Sequence, residues 1–154
     1  MLNSHAFAAV ALSSCCEDED SFALLGPIVS KYFYDAGVPR SGESADAYWD
    51  RYAISRNAAK IDVPILLQAA DSEMVSAYLP MSALKDNHKY IDAYVYPNEY
   101  HLKWQPLHRW AIYARDLRWF DFWLKPPPGE TQRNATAARW KAWQVLSAAP
   151  IPLP

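Results

Sequence analysis

The sequence predicts an α/β fold with about three parallel strands covered by helices. Two apolar runs of strand length, Ile65–Ala70 and Ile91–Tyr96, are each followed by a segment with helical periodicity. A third apolar run, residues 6–12, ends in small residues and an acidic turn, which is typical of a buried parallel strand. Strands that alternate with helices pair in parallel because each helix returns the chain across the sheet. The length of 154 residues, 51% of them hydrophobic, suits one domain.

The helices are predicted from apolar residues at helical spacing and from the prolines and glycines that end them. Pro126-Pro127-Pro128-Gly129 ends the longest helix. We interpret Trp110, Trp119 and Trp123 as core between that helix and the sheet rather than as a platform for a ligand. The predicted helices span residues 28–36, 47–52, 76–86, 107–125 and 131–149.

Composition argues against several classes of function. The formal net charge is -2, so the chain lacks the excess of basic residues that nucleic-acid binding requires. The longest apolar run, residues 6–12, is far shorter than the ~20 residues of a membrane span. The chain has no G-x-G-x-x-G or Walker motif, so we expect no nucleotide cofactor. Two adjacent cysteines and four histidines without an H-x-x-x-H pair predict no metal site.

The N-terminal region allows two interpretations. Leu12-Ser13-Ser14-Cys15 resembles a bacterial lipobox, which would make the protein an exported lipoprotein modified at Cys15. A signal peptide needs a positively charged start, however, and the first cation of the chain is Lys31. The buried strand and a cytoplasmic location are therefore the favoured interpretation. For Cys15 and Cys16, two inert thiols are favoured over a strained vicinal disulfide.

The second half of the chain places an acid and a histidine after successive strands. Asp71-Ser72-Glu73 follows the strand Ile65–Ala70, and Glu99-Tyr100-His101 follows the strand Ile91–Tyr96. The carboxyl ends of parallel strands are where open α/β sheets place their chemistry. An acid followed by a histidine in this order is the end of the Ser…Asp/Glu…His triad of α/β hydrolases.

Several runs of residues resemble a known family. PILLQAADSE, residues 64–73, resembles the acid-bearing strand and loop of the prolyl oligopeptidase family of serine peptidases, and YPNEYH, residues 96–101, resembles its histidine loop. SSCCED at 13–18, QAADSE at 68–73 and HLKWQPLHR at 101–109 resemble the branch of lasso-peptide isopeptidases. The resemblance covers residues 4–125 and implies the C-terminal fragment of an α/β-hydrolase fold. On that basis residues 1–125 form a partial catalytic domain, and residues 126–154 form a Pro-rich linker and a C-terminal helix.

The resemblance implies roles for individual residues. His101 is the expected general base, and Glu73 is the expected acid, with Asp71 as the alternative. We expect Nδ1 of His101 to lie within about 3.2 Å of one of these carboxylates. The competing interpretation is a solvated loop in which Ser72 caps the following helix. His108 is expected to be structural, and His5 and His88 are expected at the surface.

The nucleophile of the family is missing from the sequence. No G-x-S-x-G occurs, and neither Ser13 nor Ser14 has the glycine flanks of a nucleophile elbow. The expected function is thus serine-type peptidase or isopeptidase activity by resemblance, in a chain that has the acid and the base only and is inactive alone. In the complete enzyme the substrate would be a lasso peptide. The alternatives are a non-catalytic or binding piece whose partner supplies the nucleophile half, and the exported lipoprotein.

Overall fold

Three parallel strands form a single sheet in the order β1-β2-β3. The computed structural model describes residues 1–14, 18–129 and 136–152. The strands are β1 (Val10–Ser13), β2 (Ile65–Ala70) and β3 (Ile91–Tyr96). The number and the parallel direction of the strands confirm the predicted α/β architecture. Strand β1 lies at one edge, and every residue of β2 is buried.

Strand β1 is shorter than predicted and begins later. The prediction of a strand over residues 6–12 is wrong at its start, since pairing begins where Val10 lies beside Ile65. Just before Ile65 is Pro64, which accepts a hydrogen bond from Val10 N but has no N–H to donate. The ladder therefore cannot continue regularly toward the N-terminus.

The described part of the chain contains six α-helices. The helix predicted over residues 76–86 is preceded by a 3₁₀ segment, Asp71–Ala77, and becomes α-helical only at Tyr78. Of the helix predicted over 131–149, residues 131–135 lie outside the described ranges, and the described part is helical over Ala137–Ser147. The short α3 was not predicted. The helices are α1 (Pro27–Asp35), α2 (Asp46–Tyr52), α3 (Ile54–Asn57), α4 (Tyr78–Asp86), α5 (Pro106–Leu124) and α6 (Ala137–Ser147), and the further 3₁₀ segments are Ser21–Leu25 and Ala58–Lys60.

Each face of the sheet packs against helices. Trp119 and Trp123 of α5 and Trp143 of α6 are fully buried beside Leu66 of β2. These residues form one buried apolar cluster. Trp110, predicted to share this core, is instead 40% exposed and donates from Nε1 to the carbonyl of Pro152. Another buried apolar cluster comprises Ile54, Ala58, Ile61, Ile65 and Leu84. Both clusters hold β2 in place, and with it the loop that follows.

A polar network ties α5 to the centre of the sheet. Gln68 of β2 is buried and donates from Nε2 to Asp116 Oδ1 at 2.8 Å. Its Oε1 accepts from the hydroxyl of Tyr96 at 2.8 Å. The guanidinium of Arg115 donates to that hydroxyl and lies 3.6 Å from the ring centre of Tyr94. A buried amide with these partners fixes the helix relative to β2 and β3.

None of the helices within the described ranges has the length and apolar character needed to cross a membrane.

Candidate active site

The carboxyl ends of the three strands bring three segments together. Ser14 directly follows β1, Glu73 lies in the 3₁₀ segment after β2, and His101 lies in the loop between β3 and α5. The strands are in register, with Ser13 beside Gln68 and Ala70 beside Tyr96, so these segments leave the same edge of the sheet. This convergence is what the positions of the acid and the histidine in the sequence predicted.

His101 and Glu73 form a direct hydrogen-bonded pair. Nδ1 of His101 lies 2.6 Å from Oε1 of Glu73, within the expected distance. The carboxylate is half-buried, whereas the imidazole is 72% exposed. A carboxylate on Nδ1 fixes the ring tautomer and leaves Nε2 as the nitrogen that can accept a proton.

Lys103 completes the cluster. Its side chain is only 4% exposed, and its ammonium donates to Ser14 Oγ at 2.7 Å and to the carbonyl of His101 at 3.1 Å. Nζ lies 3.7 Å from Oε2 of Glu73, and the hydroxyl of Ser14 donates to the same oxygen. The two carboxylate oxygens of Glu73 therefore have separate partners, His101 on one and Lys103 with Ser14 on the other.

Asp71, the alternative acid, bonds to backbone instead. Its Oδ2 accepts from the N–H of Asn98 at 2.8 Å and its Oδ1 accepts from the N–H of Ser72. The hydrogen bond from Asn98, followed by that from Ser72, holds the pKa of Asp71 below its usual range. Asp71 thus joins the acid loop to the histidine loop, and it has no hydrogen bond to His101 in the described structure. Ser72 does not cap a helix, since neither the 3₁₀ segment nor α4 has a side-chain cap.

Glu99 organises the loop that carries His101. Its side chain is buried and accepts from the N–H groups of Trp104 at 2.9 Å and Gln105 at 3.2 Å. It also lies 2.7 Å from Nδ1 of His108, which agrees with the structural role expected of that histidine. Burial opposes ionisation of Glu99, but the hydrogen bonds from Trp104, His108 and Gln105 outweigh it and keep its pKa below the usual range. This carboxylate ties the loop to the start of α5.

An open cleft of about 420 Å³ lies next to the pair. Cationic, aromatic and apolar side chains line it, together with the carboxylate of Asp116. Its lining residues are Ser13, His101, Leu102, Lys103, Arg109, Ile112, Tyr113 and Asp116. In the portion of the chain with described coordinates, no group of three acidic, histidine or cysteine side chains is arranged to hold a metal ion.

The other predicted positions lie away from this cluster. His5 and His88 are exposed, as expected for surface residues. Cys15 and Cys16, with the predictions of their thiol state and of lipidation at Cys15, lie outside the described residues.

Sequence reasoning missed Ser14 and Lys103. Both lie in runs that carry the family resemblance, SSCCED and HLKWQPLHR. The signal that would have singled out Lys103 is a cation two residues after the histidine, in a loop that must meet the acid. Ser14 has no comparable local signal, since 59 positions separate it from Glu73.

Comparison with known proteins agrees with this geometry. No protein-family profile matches the chain. The lasso peptide isopeptidase AtxE2 of Asticcacaulis excentricus is 36% identical over an alignment of 162 residues, which takes in the whole chain and 23% of that enzyme. The apo structure of AtxE2 superposes with a TM-score of 0.75 over 95% of this chain and 23% of that chain. A variant of AtxE2 with Astexin3-dC4 bound superposes with a TM-score of 0.72 over 96% of this chain and 22% of that one.

The chain therefore spans less than a quarter of the length of the relative it matches. Sequence identity, the parallel sheet and the superposition all agree over that span. The protein belongs to the prolyl oligopeptidase family, as the counterpart of the C-terminal segment of a lasso peptide isopeptidase.

Proposed function

We propose that this chain carries the acid and the base of a serine-type isopeptidase, with His101 as general base and Glu73 as the residue that orients it. The observation that supports this best is the 2.6 Å hydrogen bond between His101 Nδ1 and Glu73 Oε1. With Nδ1 held by the carboxylate, Nε2 is the atom that exchanges protons with a nucleophile. Nε2 has no hydrogen bond to any other described residue, and the ring is largely exposed.

The reaction needs a serine from elsewhere, because the sequence has no G-x-S-x-G. We assign that serine to a segment equivalent to the part of AtxE2 that this chain does not match. The serine hydroxyl attacks the carbonyl of an isopeptide bond while its proton moves to Nε2 of His101. The imidazolium, stabilised by Glu73, then gives the proton to the leaving amine. Water hydrolyses the resulting ester by the same route and restores the serine.

The substrate class follows from the relative. AtxE2 is a lasso peptide isopeptidase, and one of its structures holds Astexin3-dC4. We propose a lasso peptide as the substrate of the complete enzyme and expect the cleft beside His101 to form one wall of its binding site.

A chimeric enzyme tests this proposal. In AtxE2, the matched C-terminal segment is replaced by this chain, and opening of Astexin3-dC4 is followed by mass spectrometry as the gain of one water. We expect the chimera to be active and His101→Ala to lower turnover by roughly 10⁶-fold, as loss of a triad base does in serine proteases. Glu73→Gln should cost on the order of 10⁴-fold, because the wrong tautomer is then favoured.

His88→Ala is the matched control, since His88 is also exposed but lies between α4 and β3. It should leave turnover unchanged. A chimera that folds and binds the peptide but does not hydrolyse it would instead support the non-catalytic binding piece. Labelling of the isolated chain by a fluorophosphonate would also contradict the proposal, because it would reveal an activated serine within these residues.

A further inference from the structure

Lys103 is an unusual residue because its charged side chain is almost completely buried. A lysine that is 4% exposed must be compensated by hydrogen bonds and an opposite charge, since burial of an unpaired ammonium is very costly. The structure supplies these partners from all three segments of the site. They are Ser14 after β1, Glu73 after β2 and the carbonyl of His101 after β3.

The two carboxylate oxygens of Glu73 have different partners. Oε1 bonds to His101, whereas Oε2 accepts from Ser14 and lies 3.7 Å from the ammonium of Lys103. A carboxylate held only at Oε1 could rotate about its last side-chain torsion, which is broad and roughly two-fold. With Oε2 held as well, that rotation is restricted and Oε1 stays directed at Nδ1.

The backbone of Ser14 adopts an uncommon conformation at this point of contact. Ser14 has a φ of 69°, a left-handed conformation that costs energy for a residue other than glycine. Its hydroxyl donates to Glu73 and accepts from Lys103. This hydroxyl bonds to a carboxylate and an ammonium and not to the imidazole of His101, so it does not have the hydrogen bond to the general base that a triad serine has.

We propose that Lys103 is a positioning residue that holds the carboxylate of Glu73, directly and through Ser14, so that it fixes the Nδ1–H tautomer of His101. The inference rests on the proposed function for its purpose, since the tautomer matters only if His101 acts as a base. The tautomer of His101 can nevertheless be measured on the isolated chain, without any catalytic turnover.

The test is NMR spectroscopy of the full chain labelled with ¹⁵N. Long-range ¹H–¹⁵N correlations of the imidazole report the ratio of the Nδ1–H to the Nε2–H form at a pH where His101 is neutral. The wild type should show the Nδ1–H form. Lys103→Met removes the charge and keeps an unbranched side chain that is one atom shorter. In this variant we expect the ratio to fall at least about tenfold, which corresponds to the loss of one charge-assisted hydrogen bond.

Lys103→Arg restores the cation and should keep the Nδ1–H form. Lys85→Met is the matched control, because Lys85 is exposed on α4, and it should have no effect on His101. Circular dichroism verifies that each variant is folded. If Lys103→Met fails to fold, Lys103→Gln takes its place, and the same fall in the tautomer ratio of His101 is expected. An unchanged tautomer in a folded, uncharged variant would overturn the proposal, and so would an equal loss in Lys103→Arg.

The two proposals fail in different experiments. An active chimera together with a tautomer that does not depend on Lys103 would refute only the role of Lys103. An inactive chimera together with a tautomer that depends on Lys103 would refute the isopeptidase assignment and leave the positioning of His101 by Lys103 supported.

Discussion

Trp143 tests whether the C-terminal helix α6 folds together with the sheet. Its indole is fully buried and meets the ring of Trp119 edge-on, with the centroids 4.8 Å apart. Its Nε1 donates to Asp92 Oδ2 at 2.8 Å, which links α6 directly to β3. These contacts predict that residues 136–152 unfold with the sheet. The division of the chain at residue 125 stays a prediction, and a substitution at Trp143 tests it.

The change is Trp143→Ala. Truncation of a fully buried tryptophan costs about 3–5 kcal/mol, because apolar area is lost and a cavity remains. The lost hydrogen bond to Asp92 places this site toward the upper half of that range, at about 4–5 kcal/mol. At about 2–4 °C per kcal/mol for a domain of this size, the melting temperature should fall by roughly 8–20 °C.

The assay is urea unfolding followed by far-UV circular dichroism. Val145→Ala is the matched control, since Val145 lies on the same helix and is 74% exposed, and it should change stability by less than about 0.5 kcal/mol. Trp143→Phe should fall between the two variants because it keeps most of the apolar contact and loses the N–H. A loss below about 1 kcal/mol for Trp143→Ala would refute the reasoning and show that α6 does not share the core.

Two further predictions concern the polar groups that support the site. The pKa values of Asp71 and Glu99 are lowered in the folded state, so their stabilisation is complete above the ordinary carboxyl range and is lost as the pH falls toward the folded values. The melting temperature should therefore fall on acidification, and it should fall less in Asp71→Asn than in the wild type. An equal fall in the variant and the wild type would contradict this prediction. Gln68→Leu should cost about 1–3 kcal/mol in urea unfolding, because it leaves Asp116 without its donor and Tyr96 without its acceptor. A neutral effect would show that water replaces the amide.

The elements that local sequence determines were predicted well. The strands β2 and β3 match the predicted bounds, and α5 differs by one residue at each end. Continuous apolar runs and a helical period are properties of neighbouring residues, so they can be read without knowledge of the fold. The start of β1 is different, because it depends on Pro64 in the partner strand, 54 positions from Val10.

The choice between Asp71 and Glu73 shows what the sequence leaves open at the site. The two carboxylates are two positions apart, and either has the chemistry of a triad acid. In the 3₁₀ conformation of residues 71–77 the two carboxylates have different partners, since Asp71 reaches the backbone of Asn98 and Glu73 reaches His101. Ser14 and Lys103 were missed for a related reason, because each acts only after distant segments have met.

The contacts that place Glu73 and His101 come from within this chain. Asp71 holds the backbone of Asn98, Glu99 holds the backbone of Trp104, and Lys103 bridges Glu73 and the carbonyl of His101. In the proposed function, the pair is thus organised before it meets a nucleophile, and a segment that brings a serine needs only to dock beside Nε2. Preorganisation of this kind lowers the barrier because the polar groups need no rearrangement during proton transfer.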